Sequence, residues 1–175
     1  RRAESENAQQ RKIHVLAGGG AASPLVEELV LHGFAPSVGI VSVLDSDYAT
    51  AQRYQLEVIS SPPFEPFDEE AVAECLRLAF EADTLIVAPV YFGRGNLALL
   101  EIAVKVLDQA QSQQPENPSQ KKVLVFDDPP VAMRDLADGR ATLMTEELVR
   151  KGARKVSNVT QLLQEILTQS ETLTV

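Results

Sequence analysis

The sequence predicts an α/β domain in which helices cover both faces of a doubly wound, mostly parallel sheet of five to six strands. Short apolar runs alternate with helical patterns along the chain, and this alternation is typical of parallel strands joined by crossover helices. Several runs are apolar at almost every position, as expected for strands that are buried on both faces. Right-handed crossovers favour the strand order 3-2-1-4-5.

The first strand–helix unit follows a polar N-terminal segment. Ile13–Ala17 is a short apolar run and is predicted as a strand that ends at the glycines 18–20. A helix is expected over Pro24–His32, because apolar residues recur there on one face and Gly33 provides a stop. Ser23 precedes the proline, which is the usual order of an N-cap and the first helical residue.

The second unit and a third strand come next. Val38–Leu44 is predicted as a strand that is broken by the polar residues 45–47, and a short helix is expected over Tyr48–Tyr54. Leu56–Ile59 is the third predicted strand. The closely spaced prolines within 61–66 predict a rigid loop after it.

The fourth strand lies between two helices. Asp68 is expected to cap a long amphipathic helix, whose buried stripe is Val72, Cys75, Leu76 and Ala79. Leu85–Val90 is a continuous apolar strand, residues 93–96 form a turn, and Leu97–Leu107 is a very apolar helix. Because the first and fourth strands are almost wholly apolar, we expect them to be parallel neighbours at the centre of the sheet.

The last third of the chain repeats the alternation. Residues 111–120 are of low complexity and are expected to form an exposed loop. The remaining elements are predicted as a strand at Val123–Phe126, a helix at Ala141–Lys151 that stops at Gly152, a short edge strand at Arg154–Val156 and a closing helix at Val159–Leu167. With these elements in place, the predicted architecture is a three-layer, Rossmann-like domain.

Composition limits the function classes. The chain has 175 residues, enough for one domain with its own core, which we expect over residues 12–170. Residues 1–11 contain nothing apolar enough to bury and are predicted to be a linker or disordered. The net charge of -9 argues against a nucleic-acid partner. No apolar run approaches the roughly 20 residues of a membrane span, so we expect a cytoplasmic protein without direct membrane insertion.

Candidate ligand-binding residues follow the first and fourth strands. Ligands of doubly wound sheets bind beyond the carboxyl ends of the strands, where the strand order reverses. In the predicted order, this point receives the loops GGGAAS (18–23) and YFGRGN (91–96), with Asp45 beside them. The candidate residues are Gly18, Gly19, Gly20, Ala21, Ser23, Asp45, Tyr91, Phe92, Gly93, Arg94, Gly95 and Asn96.

The glycine loops leave two interpretations open. Glycines let backbone N–H groups approach a phosphate, and Asp45 ends the second predicted strand, where a ribose-binding carboxylate would lie. The fingerprint G-x-G-x-x-G is not met after the first strand, whereas 93–98 matches G-x-G-x-x-A after the fourth. Arg94 could pair with a carboxylate or phosphate. A tight turn that requires small residues is the alternative to a ligand site.

Catalytic and metal-binding patterns are not recognisable in the sequence. Val123–Asp128 is similar to the magnesium-holding strand of P-loop NTPases, but the loop G-x-x-x-x-G-K-[ST] occurs nowhere. The single cysteine, Cys75, falls on the apolar face of a helix and is expected to be a buried, inert thiol. His14 and His32 belong to separate elements and are expected to be structural. No metal site and no particular cofactor is predicted.

Four stretches in their order along the chain point to a family. They are HVLAGGGAASPLVEELVLHGF, GIVSVLDSDYATAQ, ADTLIVAPVYFGRGNLALLE and DGRATLMTEELVRKGARKVSNVTQLL. Together they resemble, over about residues 12–165, the C-terminal accessory domain that follows the ATPase core in ATP-binding subunits of iron-siderophore/cobalamin-type ABC importers. This resemblance implies an ABC transporter ATPase core or permease as partner, a position peripheral to the inner membrane, and a regulatory or ligand-sensing role. The Walker A loop, signature motif and switch histidine of such an ATPase are absent from this chain.

Three functional hypotheses remain at this point. The first is a regulatory domain that binds a small anionic or nucleotide-like ligand at the switch point of the sheet. The second is a nucleotide-dependent enzyme of Rossmann type that uses residues 18–20 and Asp45. The third is a protein-interaction module that docks through the apolar Leu97–Leu107 helix or the basic C-terminal segment. The same helix, apolar nearly all round, also predicts self-association as a homo-oligomer.

Overall fold

A computed structural model describes residues 12–18, 22–41, 45–61, 68–88, 94–113, 121–126 and 139–173. Its strands are β1 (Ile13–Gly18), β2 (Ser37–Val41), β3 (Val58–Ser61), β4 (Thr84–Ala88), β5 (Lys122–Phe126) and β6 (Arg154–Val156). Its helices are α1 (Ala22–Leu31), α2 (Asp45–Arg53), α3 (Glu69–Glu81), α4 (Arg94–Gln113), α5 (Gly139–Arg150) and α6 (Val159–Leu173).

The six strands form one sheet in the order β3-β2-β1-β4-β5-β6, and every neighbouring pair is parallel. β1 and β4 are central neighbours, with Val15 opposite Ile86 and Ala17 opposite Ala88. The fold class, the strand order and the central pair predicted from the sequence are confirmed. The architecture is a three-layer, doubly wound α/β fold of Rossmann-like type.

Two apolar layers hold the helices against the sheet. On one face, β1 and β4 pack against α1 and α6 through a cluster that includes Leu29 and Ile166. On the other face, α3, α4 and α5 cover the sheet, and their fully buried side chains include Cys75, Leu99 and Leu148. Both faces of the central strands are therefore covered, which explains why β1 and β4 are apolar at nearly every position.

The apolar side chains of helix α4 are buried inside the domain. Its side chains Leu99, Leu100, Ile102, Ala103, Val106 and Leu107 belong to the same core cluster as residues of α3, α5 and the sheet. A helix that is apolar on more than one side needs cover on more than one side, and here the domain itself provides that cover. The expected docking or self-association through this helix thus has no exposed apolar face among these residues to support it.

Several element boundaries differ from the prediction. α1 begins at Ala22, so Ser23 is its second residue rather than its N-cap; a proline is tolerated in this first turn, where N–H groups have no intrahelical partner. α4 begins at Arg94 instead of after Asn96 and continues to Gln113, which makes residues 111–113 helical rather than part of a loop. Gln and Ala favour helix, and this explains the extension.

Candidate functional site

The central strands β1 and β4 end side by side, and the chain leaves them toward opposite faces of the sheet. Ala17 lies opposite Ala88, and Gly18 follows as the last residue of β1. The next helix after β1 packs on one face through Leu25, whereas the next helix after β4 packs on the other through Leu99. This divergence is the topological switch point, at which doubly wound sheets bind ligands.

The sequence-predicted ligand residues fall into three groups. Gly18 is described, at the end of β1. Ser23, Asp45, Arg94, Gly95 and Asn96 lie in the first turns of helices, and the structure describes their backbone only. Gly19, Gly20, Ala21, Tyr91, Phe92 and Gly93 lie outside the described residues. Asp45 begins α2 instead of ending the second strand, since β2 ends at Val41.

The helices at the switch point begin with different charges from the helix beside them. α1 and α4 carry no acidic residue in their first turns. In contrast, α3 begins with Glu69 and Glu70, and its cap Asp68 accepts a 2.7 Å hydrogen bond from the backbone N–H of Ala71. A helix N-terminus has a partial positive charge, which carboxylates neutralise. The first turns of α1 and α4, like those of α5 and α6, therefore leave this charge without a carboxylate of their own, and those of α1 and α4 follow the two central strands.

Cys75 is buried, as predicted, and His14 is buried as well. His14 is fully buried in β1, and its Nδ1 lies 2.7 Å from Oγ of Ser37. Burial lowers the pKa of His14 to about 4; a hydrogen bond with the backbone of Ser37 opposes this lowering, and the positive charge of Lys121 adds to it. Burial likewise raises the pKa of the Cys75 thiol to about 12. Neither group has the titration of a base or nucleophile working at neutral pH.

Neither His32 nor a group of metal-ligating side chains provides a second candidate site among the described residues. His32 is exposed on the turn after α1, where its Nδ1 donates to the carbonyl oxygen of Glu28 at 2.8 Å. Within the described ranges, no three His, Cys, Asp or Glu side chains come together in a group that could hold a metal ion. None of the helices in those ranges is both long and apolar enough to cross a bilayer.

Two features away from the switch point were not predicted from the sequence. A groove of about 500 Å³ lies between α3 and α4 and is lined by Leu76, Phe80, Lys105, Asp108 and Gln109. Next to it, the ammonium group of Lys121 donates to the carbonyl oxygens of Ala79 and Phe80. Burial lowers the pKa of Lys121 to about 8. The sequence signal for the second feature was Lys121 itself, a lysine directly ahead of an apolar strand.

Comparison with known proteins finds a family and relatives that match part of this chain. Residues 36–163 match the model of the MJ0874 family. Over 83 residues the chain is 35% identical to the cobalamin import ATP-binding protein BtuD of Halobacterium salinarum, in each of two strains. The match covers 47% of this chain and 21% of each relative, so the chain corresponds to about a fifth of those relatives.

A solved structure supports the fold. An α-glucosyltransferase in complex with UDP-glucose and DNA containing an abasic site superposes with a TM-score of 0.51 at 16% identity, and the match covers 84% of this chain and 35% of that one. At this identity the likeness concerns the fold alone. The family match, in contrast, extends from residue 36, just before β2, into α6, and thus includes the strands on both sides of β1. The chain belongs to the MJ0874 family.

Proposed function

We propose that this chain is an accessory, regulatory domain that works with the ATP-binding protein of an ABC importer for cobalamin or a related metal chelate. The observation that carries the proposal is the 35% identity to a cobalamin import ATP-binding protein over 83 residues. Because the full sequence contains no Walker A loop, the ATPase activity in this proposal belongs to the partner. The domain acts on the cytoplasmic side, at the ATPase core or the permease.

The ligand of the domain is, in this proposal, a small anionic or nucleotide-like molecule at the switch point. Support comes from the adjacent ends of β1 and β4 and from the acid-free first turns of α1 and α4. Gly18 would let the ligand approach the backbone closely, and Arg94 would supply a cation from the start of α4. The remaining candidate positions in 18–23 and 91–96, together with Asp45, would complete the site.

A Rossmann-type nucleotide-dependent enzyme is the second candidate. One observation favours it: β2, whose helix α2 starts with Asp45, lies directly beside β1, as in dinucleotide-binding sheets. In such an enzyme Asp45 would bind a ribose hydroxyl. The incomplete glycine fingerprint after β1 and the neutral, buried His14 and Cys75 count against this candidate.

A ligand panel separates the two candidates. Thermal unfolding would be followed with NAD(P), ATP, ADP, S-adenosylmethionine, cobalamins and haem. A specific ligand at a hundredfold excess over its Kd stabilises the folded state by about 2.7 kcal/mol, which is a readily measured shift. Stabilisation by NAD(P) or S-adenosylmethionine alone would favour the enzyme. If no compound shifts the midpoint, the ligand-binding part of the proposal is wrong.

The regulatory role requires a separate assay. The domain would be added in trans to a cobalamin-import ATP-binding protein, and the rate of ATP hydrolysis would be measured with and without the compound found in the panel. We expect the domain to change that rate, and the compound to modify the change. A domain that binds a ligand but leaves the ATPase rate unaltered would refute the regulatory role and leave the ligand site intact.

A further inference from the structure

His14 lies at the junction of three elements. It is the second residue of β1, its register neighbour in β2 is Ser37, and its Nδ1 lies 2.7 Å from the hydroxyl oxygen of that serine. Gly39 of β2 lies beside the ring: a Cβ at this position would be in ordinary contact with Nε2 of His14, at 3.7 Å, and only 3.0 Å from Sγ of Cys75 on α3. The imidazole and the Cys75 side chain thus lie over the same position of β2.

The second ring nitrogen, Nε2, has no acceptor for an N–H group nearby in the described part of the chain. Nε2 of His14 is buried and has no hydrogen-bond partner among the described residues. A neutral ring that donates from Nδ1 to Ser37 leaves Nε2 without a hydrogen, and a bare nitrogen tolerates this position. A protonated ring carries an N–H at Nε2 and a positive charge, and both would be buried without an acceptor.

The charges around the ring oppose its protonation. Titratable groups on the elements around it include Glu74, Cys75 and Arg77 on α3, Asp83 ahead of β4 and Lys121 ahead of β5. Cys75 carries no charge at neutral pH, Glu74 is exposed and bound to Arg77, and Lys121 is a cation. No carboxylate among them is hydrogen-bonded to the ring. The buried histidine therefore resists protonation.

We propose that His14 is an acid-released latch: the neutral ring holds β2 and α3 against β1, and its protonation opens this side of the sheet in mildly acidic solution. Once the ring is exposed, it takes up a proton with the ordinary pKa of 6.5, whereas the buried ring does so only at about 4. The open state therefore binds more protons between these values. The latch is at full strength above the upper value and weakens as the pH falls toward the lower one.

Hydrogen exchange at two pH values tests the latch. Amide protection would be measured by mass spectrometry at about pH 7 and about pH 5 and corrected for intrinsic exchange rates. The two pKa values predict that protection of Ser37–Val41 falls about 20-fold between these conditions. Lys122–Phe126, on the other side of β4, should change much less. The variant His14→Phe should lose the pH dependence, whereas His32→Gln, which alters the exposed histidine, should retain it.

Two results would overturn the latch. One is an equal loss of protection in β2 and β5; the other is a His14→Phe chain that keeps the pH dependence of β2. Should His14→Phe fail to fold, nuclear magnetic resonance of the His14 ring in the unaltered chain decides the question. The latch predicts a neutral ring for as long as β2 remains protected. A ring that becomes protonated while β2 is still closed would refute it.

Discussion

The amino and carboxyl edges of the sheet use their polar groups differently. At the amino edge, Lys122 donates to the carbonyl oxygen of Glu165 at 2.7 Å, and Arg154 donates to the carboxylate of the same residue at 2.8 Å. The backbone N–H of Lys12 donates to Asp83 at 3.1 Å. At the carboxyl edge, the helices that follow β1 and β4 begin without carboxylates of their own.

This difference separates stability from the proposed binding. At the amino edge, Lys122 joins β5 to α6 and Arg154 joins β6 to the same helix, so these side chains contribute to the folded state. The helix N-termini at the switch point keep their partial positive charge for a ligand. Substitutions at the amino edge should therefore change stability without changing affinity, and substitutions at the switch point should do the opposite.

The largest effect is expected at Arg94. Arg94→Ala should weaken binding of the compound identified in the ligand panel by about ten- to a hundredfold, since a charge-assisted hydrogen bond contributes about 1.5–3 kcal/mol. Isothermal titration calorimetry gives the two dissociation constants. The free energy of unfolding in the absence of ligand should remain nearly unchanged.

Arg150→Ala is the matched control for this loss. Arg150 is exposed at the end of α5, and its removal should leave the dissociation constant unchanged. Small and equal effects of the two substitutions would mean that Arg94 does not contact the ligand. The proposed role of the carboxyl edge in ligand binding would then lose its support.

A smaller effect is expected at Glu165, which is only 26% exposed. Glu165→Ala removes the carboxylate that pairs with Lys122 at 3.5 Å and Arg154 at 2.8 Å, and should lower the free energy of unfolding by about 1–2 kcal/mol. Urea denaturation measures this loss. Glu146→Ala, at an exposed position of α5, is the control. A change in ligand affinity for Glu165→Ala would contradict the separation of the two edges.

The smallest effect is expected at Asp68, which lies at the carboxyl edge of the sheet but away from the switch point. Asp68→Ala removes the cap of α3 and should cost about 1 kcal/mol of stability, with ligand affinity unchanged. Asp68→Asn keeps an acceptor for the Ala71 N–H and should restore most of the loss. An affinity change in Asp68→Ala alone would extend the binding region beyond β1 and β4.

Hydrophobic pattern predicted the fold well because it is a local signal. β1 and β4 are apolar at almost every position, and this property alone placed them at the centre of the sheet. Boundaries were less predictable. β3 begins at Val58 rather than Leu56. Gln55 adopts a left-handed conformation with φ 55°, and the backbone N–H of Leu56 donates to the carbonyl oxygen of Ala51 in α2, so Leu56 belongs to the end of that helix.

For the candidate site, the sequence predicted the adjacent ends of β1 and β4, whereas ligand binding at these ends stays a prediction. The adjacency of these ends follows from strand order, which the alternation of strands and helices predicts. The environment of His14 was hidden. Its partner Ser37 is set by the register between β1 and β2, and a register between strands separated by a helix cannot be read from a single sequence.

The central claim, that a ligand binds where β1 and β4 end, is tested most directly by amide chemical-shift mapping. The ¹⁵N-labelled domain would be titrated with the compound that gives the largest thermal stabilisation. Binding at this position should shift the amide resonances of Gly18 and of the first turns of α1 and α4, with little change at Lys12, Asp83 and Lys122. Shifts confined to the amino edge, or to the groove formed by Leu76 and Phe80, would contradict it.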